Sequence, residues 1–546
     1  MSQHLETTPS DIDRTVAEVT RALQADEVER ATEIARAALD AGAVHPLLLL
    51  LRGTWLSNQS RFDDALRDLE EARRLAPAEP RIPNGIGECR LKDDQFAAAA
   101  KAFDEALQLW PEFPLAHFNR GFALETLGEL RGAEESYQIA ARLAPNYADP
   151  IARLGNLAAG NGDWKTARAY SNRALALEPD HVKALITLAR ADLAERSIDS
   201  AEQRLQAILS HAGYQPLDQA QALNLLGDIR DAQGRTEEAF ECWTEANAKI
   251  LSHYAPRLET KGMEAAPALV ARISEYFSAR PRESPMDTTP ASAAPTRLLF
   301  IAGFPRAGTT LLGQILGSHP DVVTLEEKFP IVDADRDFLR EPGGLERLAT
   351  AIDTDLQPYR DSYWDYVRRL GYHFRDKLVV DKLPMHTFRL PVIARLFPDA
   401  HIIFAVRDPR DVVLSAFRRL FLVHSFTLEL LDLESTARLY DAMMRVAELA
   451  REKLALRWLT VRNEDLVANF DEQAHRICAF ADIPWRESVR NFAAHARRNA
   501  IATPSSAQVI GGLSDRSVGQ WRKYREQLAP VMPILEPWVR KFGYSE

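Results

Sequence analysis

The stretch LLFIAGFPRAGTTLLGQIL, residues 298–316, indicates a β-strand, a glycine loop and a helix in direct succession. An apolar run leads into the loop, and an amphipathic run follows it. The order is that of the phosphate-binding loop G-x-x-x-x-G-K-[ST]. Here, however, Thr309 holds the position of the lysine, and Arg306 provides a cation inside the loop. The fold of this segment is therefore predicted, but its ligand is open.

The loop has the composition of an anion site. Backbone N–H groups and the start of a helix bind anions without any side chain. Thr309 and Thr310 add hydroxyl donors, and Arg306 adds a fork-shaped cation. An ATPase would also need the lysine and an aspartate for Mg²⁺. Asp381 is the nearest candidate for that aspartate, and the adjacent Lys382 would oppose a metal.

Four short β-rich runs are each followed by a segment with helical periodicity, and this alternation predicts a parallel sheet covered by helices on both faces. In such sheets, ligands bind at the carboxyl ends of the strands. The four runs are RLLFIAG (297–303), KLVVDK (377–382), AHIIFAVRD (400–408) and RWLTVRNED (457–465).

A second basic cluster follows the third of these runs, in AVRDPRDVVLSAFRR. Ser415 and Arg419 share a helical face by i,i+4 spacing. With Arg407 they are predicted to hold a second phosphate, well away from the first. The alternative is a surface helix with salt bridges.

The first half of the chain repeats with a period of 34 residues. Alanines recur twelve and nineteen residues after each repeated glycine, and prolines close four of the units, at Pro77, Pro111, Pro145 and Pro179. The glycines are Gly53, Gly87, Gly121 and Gly155, and after a four-residue slip Gly227. Small residues lie where two antiparallel helices approach closely, and proline lies where a helix stops. The pattern predicts about seven helix pairs from residue 12, stacked into a superhelix with a groove.

The sequence divides into three parts. Residues 1–253 form the repeat domain, residues 254–296 form a helical segment and linker, and residues 297–546 form the second domain. The groove of the repeats is interpreted as a binding site for a peptide or protein. The alternative is that the array only scaffolds or dimerises the second domain.

Composition excludes several function classes. The net charge of -11 comes from the acidic first half, and the second half is close to neutral, which gives no support to nucleic-acid binding. No apolar run approaches the roughly 20 residues of a membrane span. The start of the chain has no secretory pattern, and the three cysteines are far apart. We therefore expect a cytoplasmic protein without a membrane or nucleic-acid partner.

Four segments carry a family resemblance. The motifs PRAGTT…HPDV…EE, DKLP, VRD…S…R and SSAQV…W resemble those of tyrosylprotein sulfotransferases. These enzymes use 3′-phosphoadenosine 5′-phosphosulfate (PAPS). The likeness covers roughly residues 297–544, and residues 12–253 resemble tetratricopeptide repeats. The resemblance implies an all-α repeat superhelix followed by an α/β P-loop-like sulfotransferase domain, with PAPS as the donor and no metal.

The resemblance also implies roles for individual residues. The loop residues would hold the 5′-phosphosulfate: Arg306, Ala307, Gly308, Thr309 and Thr310. The second cluster, Arg407, Ser415 and Arg419, would hold the 3′-phosphate. Glu327 falls at the position of the catalytic base, Lys382 at that of a lysine near the bridging oxygen, and Ser505 at that of a transition-state hydroxyl.

Some positions depart from the family or leave a choice. Asn463 stands where the family has a tyrosine against the cofactor, and Gln520 stands where it has a lysine. Glu326 or His386 could replace Glu327 as the base.

The function predicted from the sequence is sulfuryl transfer from PAPS to an acceptor hydroxyl. A protein tyrosine is the first expectation, and sugars, lipids and small phenols are open. The alternatives are a tetratricopeptide scaffold with a decayed nucleotide-binding domain and a P-loop kinase-like enzyme. A homodimer is also open.

Overall fold

In the computed structural model, the repeated glycines lie where paired helices come close. A Cβ atom added at Gly53 would lie 2.8 Å from Leu69, and one added at Gly121 would lie 2.7 Å from Tyr137. The prolines, in turn, follow the ends of helices, as Pro77 follows Leu75. The spacing in the sequence therefore has the physical basis predicted for it.

The structure describes residues 9–211, 213–260, 264–282, 296–498, 512–515 and 517–545. By packing, the chain divides into two compact units, residues 1–195 and 196–546. This division lies inside the predicted repeat domain. The boundaries predicted from the sequence, at residues 253 and 297, stay predictions.

The first unit is all-helical over its described residues, and consecutive helices pack as pairs. The helices are α1 (Pro9–Gln24), α2 (Val28–Asp40), α3 (Pro46–Asn58), α4 (Phe62–Leu75), α5 (Arg81–Lys92), α6 (Phe96–Leu109), α7 (Pro114–Thr126), α8 (Leu130–Leu143), α9 (Ala148–Gly160), α10 (Trp164–Leu177) and α11 (Val182–Ala194).

The second unit begins with helices that precede the sheet. They are α12 (Ile198–Ser210), α13 (Pro216–Ala232), α14 (Thr236–Thr260) and α15 (Ala266–Ser278). The helices α13 and α14 form the repeat predicted around Gly227, because a Cβ atom at that glycine would collide with the ring of Trp243.

The sheet has five parallel strands in the order β2-β3-β1-β4-β5. They are β1 (Leu298–Gly303), β2 (Val322–Glu326), β3 (Leu378–Lys382), β4 (His401–Val406) and β5 (Arg457–Arg462). Every residue of β1 and β3 is buried, as expected for strands covered on both faces. The predicted class, an all-α repeat superhelix followed by an α/β domain with a parallel sheet, is confirmed.

Four strands agree with the sequence prediction to within a few residues, but β2 was missed. This strand is a five-residue edge strand, and two of its residues, Thr324 and Glu326, are only half-buried. A short half-exposed strand lacks the continuous apolar run that marks the buried strands. The omission matters, because β2 carries Glu326 and places Glu327.

The helices that cover the sheet follow the strands. They are α16 (Thr309–Gly317), α17 (Val332–Ala334), α18 (Gly344–Thr350), α19 (Asp353–Arg369), α20 (His386–Leu396), α21 (Pro409–Phe417), α22 (Ser425–Leu428), α23 (Leu433–Lys453), α24 (Asn463–Ala468), α25 (Phe470–Phe480), α26 (Phe492–Arg498), α27 (Arg525–Leu528) and α28 (Met532–Lys541). Within the described ranges, no helix is both long and apolar enough to span a bilayer.

Candidate functional site

The loop between β1 and α16 forms the centre of the site. Gly308 has a φ of 103°, in the region that favours glycine, and an added Cβ would lie 2.7 Å from Oδ1 of Asn463. The next residues, Thr309 and Thr310, are buried and begin α16. The loop thus brings its backbone and the start of a helix to the carboxyl end of the sheet.

Arg306 lies inside this loop in a left-handed backbone conformation, with a φ of 73°. Its side chain is buried, and its Nε donates a hydrogen bond to Oγ of Ser415 at 3.0 Å. Burial, followed by the charges of Arg419, Arg407 and Arg418, lowers the pKa of Arg306 to about 9. The cluster therefore concentrates positive charge that an anion would offset.

This contact differs from the sequence prediction in one respect. The two phosphate sites were expected well apart, but a hydrogen bond joins Arg306 of the first to Ser415 of the second. The residues of both predicted sites line one basic cluster. Their individual roles stay predictions.

Arg407 follows β4 and is almost fully buried. Its guanidinium donates to the backbone oxygens of Arg306, at 3.3 Å, and of Ser517. Its Nε has no hydrogen-bond partner among the described residues. A buried donor without a partner is costly in a folded protein, which indicates a ligand site.

Arg419 lies beyond the end of its helix, since α21 stops at Phe417. The predicted sharing of one helical face with Ser415 is therefore wrong. The position of Arg419 is set instead by an ion pair, in which its Nη1 lies 2.8 Å from Oδ2 of Asp228. Asp228 is absent from the residues predicted for the site, although its place after the repeated Gly227 was a usable signal.

A lysine and two carboxylates meet at the ends of β2 and β3. The Nζ of Lys382 lies 2.9 Å from Oε2 of Glu326 and 2.8 Å from Oε1 of Glu327. Burial lowers the pKa of Lys382, but the two carboxylates outweigh it, and the net effect is a raised pKa. Lys382 is therefore held as a cation at the carboxyl end of the sheet.

The two glutamates have different surroundings. Glu326 also accepts a hydrogen bond from Gln314 at 2.9 Å. Glu327 follows the strand with a φ of 50°, and its backbone N–H donates to the carbonyl of Lys382 at 3.0 Å. Its side chain is 34% exposed, compared with 26% for Glu326. Glu327 is thus the more accessible of the two to an incoming molecule.

His386 and Asp381 belong to the core rather than to the open site. Both are fully buried, and Nε2 of His386 lies 2.9 Å from Oδ1 of Asp381. The hydroxyl of Tyr363 donates to the other oxygen of Asp381 at 2.9 Å. Asp381 and Lys382 are neighbours in a strand, so their side chains point to opposite faces. This geometry disfavours His386 as a base facing an acceptor and Asp381 as a magnesium ligand.

The structure locates two of the three remaining candidates. Asn463 begins α24 and lies against Gly308 of the loop. Gln520 begins a short 3-10 helix, and the backbone N–H of the next residue, Trp521, donates to Oδ1 of Asp411 in α21 at 2.8 Å. Ser505 lies outside the described residues.

Within the described ranges, no group of three or more His, Cys, Asp or Glu side chains is arranged to hold a metal ion.

Family models match both halves of the chain. The sulfotransferase family matches residues 299–487, which contain the loop, both glutamates and the basic cluster. Tetratricopeptide repeat models match residues 50–111, 90–148 and 158–223. The predicted combination of domains is confirmed.

Three relatives illustrate the similarity. An uncharacterized protein of Aquifex aeolicus is 24% identical over 84% of this chain and 60% of its own length. Protein-tyrosine sulfotransferase A of Caenorhabditis elegans is 26% identical over 45% of this chain and 67% of its own length. Protein-tyrosine sulfotransferase 2 of Gallus gallus is 30% identical over 45% of this chain and 69% of its own length.

The chain thus spans only part of each relative, and just 52% of the Drosophila melanogaster protein-tyrosine sulfotransferase. The match to the Gallus gallus protein nevertheless covers more than two thirds of that protein. Through its second half, and with tetratricopeptide repeats ahead of it, the chain belongs to the sulfotransferase family.

Proposed function

We propose that the protein transfers a sulfuryl group from PAPS to an acceptor hydroxyl. The observation that carries this proposal is the cluster of the buried Arg306 and Arg407 with the half-buried Arg419 beside the glycine loop. A donor with phosphates at both ends of a ribose offers such a cluster two anionic groups. Membership of the sulfotransferase family supports PAPS as that donor.

In this proposal the loop and the second cluster bind different phosphate groups of the donor. The backbone of residues 306–310, with the hydroxyls of Thr309 and Thr310, binds the 5′-phosphosulfate. Arg407, Ser415 and Arg419 bind the 3′-phosphate. The guanidinium forks suit phosphate oxygens better than an ammonium would.

Sulfuryl transfer is an in-line displacement in which negative charge grows on the leaving phosphate. By analogy with phosphoryl transfer, positioning and electrostatics provide most of the catalysis. Lys382 and Arg306 stabilise the charge on the leaving side. Glu327 accepts the proton of the acceptor hydroxyl, and its contact with Lys382 orients its carboxylate. General-base catalysis of this kind typically contributes about 10²- to 10⁴-fold.

A protein tyrosine is the proposed acceptor, because several relatives are named protein-tyrosine sulfotransferases. The repeat array is proposed to bind the acceptor or a partner protein, since stacked repeats of this kind form extended binding surfaces. The pairing of Asp381 with His386 and Tyr363 disfavours a magnesium-dependent kinase.

Two measurements on the full chain test the proposal. Labelled PAPS is incubated with tyrosine-containing peptides and with a lysate, and transferred label is identified by mass. In parallel, binding of adenosine 3′,5′-bisphosphate is measured by calorimetry in the presence of a chelator, with adenosine as the matched control. Binding without magnesium and label on tyrosine are expected. Absence of bisphosphate binding would support a decayed donor site and overturn the proposal.

A further inference from the structure

The last helix pair of the repeats, α13 and α14, packs against the end of α21. Nδ2 of Asn224 donates to the carbonyl of Arg418 at 3.0 Å, and Nδ2 of Asn247 donates to that of Phe417 at 2.8 Å. Carbonyls at the end of a helix lack partners within the helix. Here two side chains from the repeat satisfy them and determine where the residues after α21 lie.

Two aspartates of α13 pair with the arginines that follow α21. Oδ2 of Asp228 lies 2.8 Å from Nη1 of Arg419, and Oδ2 of Asp231 lies 3.3 Å from Nη1 of Arg418. Asp228 also acts on Arg306, whose pKa it raises against the larger effects of burial and the other arginines. Asp228 thus supplies negative charge among three cations of the basic cluster.

The repeat pattern explains why an α13 side chain is placed for this contact. Asp228 follows Gly227 as Glu88 follows Gly87 and Asn156 follows Gly155. In those repeats the residue contacts the first helix of the next repeat. Glu88 accepts from Asn119 at 3.1 Å, and Asn156 accepts from Arg190 at 3.0 Å. After Asp228, α21 and its following turn take the place of the next repeat.

We propose that Asp228 is a positioning residue of the donor site and holds Arg419 for the 3′-phosphate. This inference rests on the proposed function. Asp228 bonds to Nη1 of Arg419, whereas Nε of Arg419 and Nε of Arg407 have no hydrogen-bond partner among the described residues. The Nε edge of a guanidinium is one that binds two oxygens of a phosphate. Asp228 therefore orders Arg419 before the donor arrives and leaves that edge for it.

The carboxylate also opposes the repulsion among Arg306, Arg418 and Arg419, which would otherwise drive the side chains apart. The final repeat is, on this view, part of the donor site and not only part of a protein-binding array. The same contact sets an order of assembly, since Arg419 is in position only when α13 is packed on α21.

Calorimetry on the full chain tests this role with two ligands, adenosine 3′,5′-bisphosphate and adenosine 5′-phosphosulfate, which lacks the 3′-phosphate. Asp228→Asn keeps an acceptor oxygen but removes the negative charge that holds Arg419, and it is expected to weaken bisphosphate binding about tenfold. Binding of the 5′-phosphosulfate is expected to change less than about twofold. Glu241→Gln, which removes an exposed carboxylate from α14, is the matched control and should alter neither ligand.

A double-mutant cycle separates positioning from a general effect on folding. In an Arg419→Met background, Asp228→Asn should have no further effect on bisphosphate binding, because the side chain through which Asp228 acts is gone. Asp228→Glu, which keeps the charge, should weaken binding less than Asp228→Asn. Thermal unfolding of each variant checks that it is folded. If Asp228→Asn does not fold, the binding of Asp228→Glu is compared with that of the unaltered chain instead.

The outcomes are distinguishable. If the unaltered chain binds no bisphosphate, the proposed function fails and this inference fails with it. If the unaltered chain binds but Asp228→Asn binds equally well, only this inference is overturned. Tighter binding by Asp228→Asn would show that the carboxylate competes with the phosphate, and equal weakening of both ligands would show a merely structural role. Either result would contradict positioning.

Discussion

Glu327 follows β2 in a left-handed backbone conformation, with a φ of 50°. A residue with a side chain adopts this conformation at a cost, and such residues cluster at functional sites. At this position the chain turns sharply, and the carboxylate comes within 2.8 Å of Nζ of Lys382. Glu326 contacts the same cation, so the strained turn and the more exposed side chain are what distinguish Glu327 from it.

Replacing Glu327 by Gln should lower the rate of sulfuryl transfer by about 10²- to 10⁴-fold, because the amide cannot take up a proton. The affinity for adenosine 3′,5′-bisphosphate should stay nearly unchanged. Single-turnover transfer and calorimetry measure the two effects. Glu326→Gln is the matched control, and a larger loss of rate in that variant would assign the base to Glu326.

Gly308→Ala should distort the loop. The added Cβ would lie 2.7 Å from Oδ1 of Asn463, at a φ of 103° that favours glycine. We expect the free energy of unfolding to fall by about 1–3 kcal/mol, with loss of bisphosphate binding. Urea denaturation and calorimetry provide the measurements.

The control for that variant is Gly371→Ala, where φ is 77° and no atom lies within 4 Å of the added Cβ. This substitution carries only the backbone cost and should leave ligand binding intact. If both variants bind bisphosphate equally well, the close approach of Asn463 to the loop is unimportant for the site.

The helix α21 organises the basic cluster at both of its ends. Near its start, the buried Asp411 accepts hydrogen bonds from the backbone N–H groups of Gly519, at 2.6 Å, and Trp521, at 2.8 Å. At its end, side chains of the helix pair α13 and α14 donate hydrogen bonds to the carbonyls of Phe417 and Arg418. Arg419 was predicted on the face of this helix, but lies after it. Helix ends depend on such tertiary contacts, and a periodic pattern does not locate them well.

Asp411→Asn should reduce the free energy of unfolding by about 1–3 kcal/mol, since an amide has one acceptor oxygen where the carboxylate has two and leaves a buried N–H unpaired. Denaturant titration measures the loss, and hydrogen exchange at Gly519 and Trp521 should become faster. The exposed pair of Glu434 and Arg438 supplies the control. Glu434→Gln should change stability by less than about 0.5 kcal/mol, and an equal effect of both variants would contradict the anchoring role.

The second compact unit begins at residue 196, about a hundred residues before the predicted start of the sulfotransferase domain. The difference has a structural cause. Phe240 stacks on Phe417 with ring centroids 5.2 Å apart, and the fully buried Trp243 packs 5.5 Å from Tyr524. The helix pair α13 and α14 therefore completes the hydrophobic core next to the basic cluster.

This packing predicts the behaviour of two fragments. A fragment of residues 196–546 should unfold cooperatively, whereas a fragment of residues 297–546 should unfold at a lower temperature, because it exposes the aromatic surface that α14 covers. Calorimetric scans of both fragments at one concentration make the comparison. Equal unfolding temperatures would show that the sheet domain is independent of the repeat hairpin, as the sequence boundary suggested.

Much of this protein followed from local patterns in its sequence. The helix pairs follow from a 34-residue spacing, and the strand, loop and helix at residues 298–316 follow from a run of neighbours. The motif resemblance indicated Arg306, Glu327 and Lys382. The structure brings them to the carboxyl ends of three adjacent strands. These features depend on residues close together or regularly spaced, so a single sequence suffices to predict them.

The tertiary structure alone decided what depends on distant segments meeting. His386 is buried because α20 packs against β1, where the ring of Phe300 lies 5.1 Å from that of His386. The pairing of Asp228 with Arg419 joins residues 191 positions apart. No local periodicity encodes such a contact. It arises only when the helix pair α13 and α14 and the helix α21 bury their apolar surfaces against each other. The sequence by itself determined the two folds and the residues of the loop, and the packing determined which residue of the last repeat pairs with Arg419.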